Sequence, residues 1–103
     1  MRGMQDMLRQ AQLMQKKMTA VQEELKTREV EGTAGGGMVT VRATGGQQIV
    51  SVVIDKSVVE AGDVEMLQDL VLAAITDALK KAKSMMEEEM GKITGGMKIP
   101  GMF

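Results

Sequence analysis

Six basic side chains are the residues of this 103-residue chain best suited to chemistry: Arg9, Lys16 and Lys17 in its first quarter, and Lys80, Lys81 and Lys83 gathered on about one turn near its end. Lys and Arg at helical spacing can neutralise the phosphates of duplex DNA without aromatic stacking or a recognition helix, which gives weak sequence preference and strong salt dependence. The same residues also serve simply to keep a helical surface wet. Net charge does not separate the two uses, because 13 basic and 14 acidic residues sum to -1 and produce no long-range field toward nucleic acid or an anionic membrane. Doubling the sites by two-fold symmetry would favour the DNA reading.

Other chemistry has little material. With no Cys and no His, thiol nucleophiles, disulfides, zinc sites and imidazole acid/base work are all excluded. Glu87, Glu88 and Glu89 are consecutive, so on a helix they point about 100° apart and cannot converge on one metal ion; a solvated face is expected. Asp55, Asp69 and Asp77 are too scattered to propose as a carboxylate pair. Ser51, Ser57 and Ser84 lack a base and a nucleophile-elbow context. The glycines at 32–37 and 45–46 lack the Lys-Ser/Thr ending of a phosphate-binding loop, and neither run opens into a helix. The expectation is no enzyme, no cofactor, no metal and no small-molecule substrate.

The elements that must carry the basic residues are legible from periodicity. From about Met4 to Lys26 there is neither Pro nor Gly, and good helix formers fill the segment. Met4, Met7, Ala11, Met14, Met18, Val21 and Leu25 step by three and four, the seam spacing of a coiled coil held over about three heptads. Arg9, Lys16 and Lys17 lie off that seam. Glu29-Val30-Glu31 alternates briefly, and Gly32 with Gly35-Gly36-Gly37 supplies backbone freedom for a connection. In Met38 to Thr44, Val39, Val41 and Ala43 share one side and Thr40, Arg42 and Thr44 the other, so this is a strand with one wet face. After Gly45-Gly46 the β-branched run Ile49 to Ile54 makes a third strand, and a small antiparallel meander follows.

Asp55 to Asp63 reads as a connector, with Asp63 capping a helix that begins at Val64. Leu67, Leu70, Val71, Ala74, Ala78, Ala82 and Met85 form one apolar stripe on it, and Leu72, Ile75, Leu79, Met86 and Met90 a second, so burial on two sides is expected. The helix should fray near Gly91. The fold class is therefore α+β, in the order α-β-β-β-α, with a three-stranded antiparallel sheet and two long helices. Residues 1–90 read as one domain and 91–103 as a flexible Gly/Met-rich tail. No apolar run approaches the ~20 residues of a bilayer span, the first residues are unlike a signal peptide, and a cytoplasmic location is the simplest reading.

Taken in order, Met7-Leu8-Arg9-Gln10-Ala11-Gln12, Met14-Gln15-Lys16-Lys17-Met18, Val30-Glu31-Gly32, Gly37-Met38-Val39-Thr40-Val41, Val53-Ile54-Asp55, Met66-Leu67-Gln68-Asp69-Leu70-Val71, Ala73-Ala74 and Gly95-Gly96-Met97 resemble the YbaB/EbfC family of bacterial nucleoid-associated proteins. The succession of these pieces, rather than any one of them, carries the likeness. The resemblance implies a homodimer whose sheets join and whose paired helices project as arms, binding double-stranded DNA and altering its shape in the service of nucleoid organisation and gene regulation. It implies no signature of contact residues, so the DNA-binding candidates stay those named by charge: Arg9, Lys16, Lys17, Lys80, Lys81 and Lys83. The three glutamates at 87–89 would repel phosphate and leave the first helix the better contact. The rival reading is a protein-protein interaction module in which the Met-rich helix and the tail dock on a partner and DNA binding is incidental.

Overall fold

Small side chains decide where the last helix lies. A computed structural model of the chain describes residues 2–93. Helix α1 (Arg2–Leu25) is followed by strands β1 (Glu29–Ala34), β2 (Val39–Thr44) and β3 (Ile49–Ile54), a short helix α2 (Lys56–Glu60) and the long helix α3 (Val64–Ile93). The strands form one antiparallel sheet in the order β1-β2-β3, with Gly32 opposite Val41 and Val41 opposite Val52. Val39, Val41 and Ala43, alternating along β2, meet Ala74 and Ala78 of α3 in the core, and Val30, Ala34, Leu70, Val71 and Ile75 pack around them.

Gly32 is not part of a connection, as its type suggested, but a mid-strand residue of β1 under α3. A Cβ at Gly32 would fall 2.7 Å from Ala78 Cα and closer still to the Ala74 carbonyl oxygen and the Ala78 nitrogen. Helix backbone therefore lies directly on strand backbone. Ala74, Ala78 and Ala82, each fully buried, recur every fourth residue and keep that side of α3 flat enough for the approach.

Two side chains of α3 then finish the free edge of β1. The Thr33 amide donates to Asp77 Oδ2 at 3.0 Å, and Lys81 Nζ donates to the Glu31 carbonyl at 2.9 Å while pairing with Asp77 Oδ2 at 3.2 Å. Residues 31 and 33 are two apart, so their backbone groups face the same way; Asp77 and Lys81 are one helical turn apart and match that spacing. An exposed strand edge is thereby partnered from within the chain.

At the root of α1, Leu25 is buried and the Gly45 amide donates to the Arg28 carbonyl at 2.9 Å. A Cβ on Gly45 would strike Met85 Cε at 2.7 Å and Leu25 Cδ2 at 2.9 Å, so the β2–β3 turn, α1 and α3 meet here. Beyond this junction α1 lies along the C-terminal half of α3, and the molecule measures 71 × 23 × 16 Å. The expected wet face of β2 is only partly wet: Arg42 is exposed and Thr40 half-buried, but Thr44 is buried, with its hydroxyl accepting from the Gln48 amide at 3.3 Å.

Asp63 caps α3 as expected, accepting from the Met66 amide at 3.0 Å. The connector before it contains α2, which begins where Asp55 accepts from the Ser57 amide at 2.8 Å and the Ser57 hydroxyl at 2.7 Å. These bonds hold the Asp55 carboxyl below its ordinary range. Helix α3 is described through Ile93, two residues past Gly91. The rest of the expected tail, 94–103, lies outside the described residues.

Replacing Gly32 by Ala should lower the stability by about 3 kcal/mol, because neither backbone can yield without repacking the core. Urea unfolding checks this as a lower midpoint, with Gly3→Ala, a helical site with open space, as a variant that loses no stability. The Thr33 amide, foremost, and Lys81 hold the Asp77 carboxyl below its ordinary range. Its stabilising effect is thus present above the unfolded value near 4 and is lost as pH falls through the lower folded value. Asp77→Ala should be less stable than the parent at neutral pH, and the gap should narrow below about pH 4 in acid-unfolding curves.

Candidate nucleic-acid interface

Basic residues become available to phosphate only where no carboxylate or carbonyl already holds them. Several are held. Arg42, on the sheet face away from α3, reaches Glu29 at 3.6 Å and Glu31 at 3.4 Å. Arg28 pairs with Glu89 at 3.1 Å, and Lys92 meets the same Glu89 oxygen at 3.2 Å. Arg28 first, then Lys92, keep the Glu89 carboxyl below its ordinary range. Of the three consecutive glutamates, Glu88 is exposed while Glu87 and Glu89 are half-buried, and Glu89 ties the residues just after α1 to the end of α3. The solvated face expected for the trio holds for Glu88 alone.

Arg9, Lys16 and Lys17 stand exposed on α1, and Lys80 and Lys83 on α3, none in an ion pair among the described residues. Lys81 differs. Its ammonium is occupied by Asp77 and the Glu31 carbonyl, and it positions α3 on β1.

The two groups of candidates lie in different surroundings. Lys80 and Lys81 share a shallow groove with Arg28, Asp77, Ser84 and Glu88, so acids interleave the bases there. Along α1, by contrast, no acid occurs between Asp6 and Glu23. Arg9 and Lys16 are seven residues apart, hence on one face and about 10 Å apart along the axis, about three base-pair rises of a duplex. Lys16 flanks a polar depression with Gln12, Gln15 and Thr19. Lys17 is turned about 100° from Lys16 and lines a groove with Gln10, Leu13, Met14 and Ile93. Lys80 lies thirteen residues before Ile93 on α3, about 20 Å along the helix, so the α1 and α3 groups form separate patches.

Sequence periodicity did not mark Glu89 as the partner of Arg28 or the Glu31 carbonyl as a partner of Lys81, because these contacts join elements far apart in the chain; Asp77 and Lys81, one helical turn apart on α3, were within reach of a sequence reading that did not pair them. No group of three or more Asp and Glu able to hold a metal ion occurs among the described residues, and no described helix is long and apolar enough to cross a membrane.

This arrangement has known counterparts. A nucleoid-associated protein of Alkaliphilus metalliredigens is 49% identical over 101 residues, covering 98% of this chain and 89% of that protein. Another nucleoid-associated protein, from Pelotomaculum thermopropionicum, is 53% identical over 101 residues, covering 98% and 96%. The crystal structure of the uncharacterized protein HP0035 from Helicobacter pylori matches with a TM-score of 0.73 at 27% identity, over 82% of this chain and 89% of that one. Residues 1–97 match the model of the YbaB/EbfC DNA-binding family. With the helix, meander and helix in the order that the sequence resemblance implied, the chain belongs to the YbaB/EbfC DNA-binding family.

Proposed function

We propose that this protein binds duplex DNA as a homodimer in the bacterial cytoplasm, with little sequence specificity, and bends or bridges it as a component of the nucleoid. The observation that carries the DNA reading is the acid-free stretch of α1, in which Arg9, Lys16 and Lys17 are exposed and unpaired among the described residues. Such a surface supplies phosphate contacts and no base readout. Lys80 and Lys83 make a second patch nearer the sheet, weakened by Asp77 and Glu88.

The dimer rests on surface that one copy leaves open. α3 packs on β1 and β2 and scarcely touches β3, and β3 pairs only with β2. Its residues Val50, Val52, Val53 and Ile54 are 52%, 43%, 62% and 36% exposed. Leu72, on the second stripe of α3, is also exposed. Total accessible surface is 7544 Å², against about 5,700 Å² for a globular monomer of this mass. The excess is larger than the roughly 800 Å² per partner that a standard interface covers. A second copy on β3 would complete the sheet and set two α1 arms on one body, so that weak phosphate contacts act together.

In gel-shift titrations on unrelated duplexes, affinity should fall steeply as salt rises, and Lys16→Glu with Lys17→Glu should weaken binding about tenfold or more on every duplex while flattening the salt dependence. No binding at low salt, or binding indifferent to salt, would contradict the reading and favour a protein partner. Val52→Lys, which places charge on the open edge, should lower the affinity of an otherwise folded chain at least about tenfold by separating the two arms.

A further inference from the structure

Helix α1 carries a second stripe, opposite its apolar seam. Gln5, Arg9, Gln12, Lys16 and Thr19 step by four and three and fall within an arc of about 80° on a straight helix. All five are exposed. Met7, Met14 and Val21 lie about half a turn around α1 from this arc. Where α3 packs on α1 it covers that other side, so that Leu25 is buried and Met18 and Val21 half-buried.

Every member of the stripe can donate a hydrogen bond, and none is a carboxylate. A helix face that is merely solvated mixes both signs of charge. The face of α3 opposite Ala78 does so, with Asp69 and Glu87 sharing an arc with Lys80 and Lys83. The neutral members of the α1 stripe are also uncommitted: among the described residues, the side chains of Gln5, Gln12 and Thr19 make no hydrogen bond. Gln12 and Thr19 line one polar depression with Lys16 and Gln15.

Neutral donors add to a phosphate-binding surface what charge alone does not. Gln and Thr hydrogen-bond phosphate oxygens without displacing counterions, so they raise affinity and leave the salt dependence where the cations set it. From Gln5 to Thr19 the stripe runs about 21 Å, or about six base-pair rises. A strand that meets Arg9 and Lys16 with its phosphates passes the three neutral groups on the same arc.

We infer that Gln5, Gln12 and Thr19 are contacts to duplex phosphate that alternate with Arg9 and Lys16 along this face of α1. The inference rests on the DNA-binding reading above and adds to it three residues that charge does not select.

Gel-shift titration of the full-length protein on unrelated duplexes, over a range of salt, tests it. Gln5→Ala with Gln12→Ala should weaken binding at least about threefold on every duplex and leave the slope of log affinity against log salt unchanged, whereas Lys16→Ala should flatten that slope by about one or more. Gln12→Arg should strengthen binding and steepen the slope. Gln22→Ala, at an exposed site next to Glu23 and outside the arc, should bind as the parent does. Alanine is a good helix former, so these losses do not reflect melting of α1. Undiminished binding by the Gln5/Gln12 variant, or an equal loss at Gln22, would overturn the inference and leave the parent's DNA binding standing. A loss confined to one duplex would overturn it too, by making these residues contacts to bases. A parent that binds no duplex at low salt would remove the DNA-binding reading and this inference together.

Discussion

The contact between Gly32 and the backbone of Ala74 and Ala78 is the constraint from which the rest of the molecule follows. Because Gly32 carries no Cβ and α3 offers only alanines on that side, strand and helix approach more closely than ordinary side chains allow. The approach brings Asp77 and Lys81 within reach of the Thr33 amide and the Glu31 carbonyl, which partners the free edge of β1. It also fixes α3 over β1 and β2. A helix centred there cannot cover β3, and a three-stranded sheet with one helix on it is left open along its third strand.

That asymmetry links packing to function. The covered edge of β1 is closed by hydrogen bonds from within the chain, whereas the aliphatic edge of β3 suits another sheet edge. The same placement carries the far half of α3 past the sheet and alongside α1, where Leu25, Met85 and Gly45 anchor the arm and Arg28 and Glu89 tie its root to α3. The Arg28–Glu89–Lys92 group, whose two bases are exposed and whose carboxylate is half-buried, adds little stability by itself. Its consequence is electrostatic: it removes Arg28 and Lys92 from the surface available to phosphate, just as Asp77 removes Lys81. What remains open is the acid-free length of α1, with Lys80 and Lys83 on α3; under the proposed dimer the small charge of each α1 would count twice.

Much of this was legible from local pattern. The alternation of Val39, Val41 and Ala43 gave the core face of β2, the three-and-four stepping from Met4 to Leu25 gave α1, and Asp63 marked the start of α3. The β-branched run from Ile49 to Ile54 gave β3 with its bounds. What escaped were features created by elements meeting in space. Gly32 looked like a loop residue, because its need for close approach exists only once α3 lies on β1. Lys81 looked like any other member of a basic cluster, since its partners are 50 residues away at Glu31 and one helical turn away at Asp77. Glu89 looked solvated because its partner Arg28 is 61 residues distant. Helix α2 was missed since five residues are too few for an apolar period to register.

The central claim is that the open edge of β3 is closed by another copy of the chain, which sets the two arms on one body. Sedimentation equilibrium of the purified full-length protein without DNA tests it most directly. The account predicts a mass of twice 11.1 kDa, independent of loading concentration through the low micromolar range. A mass of 11.1 kDa at every concentration would contradict it.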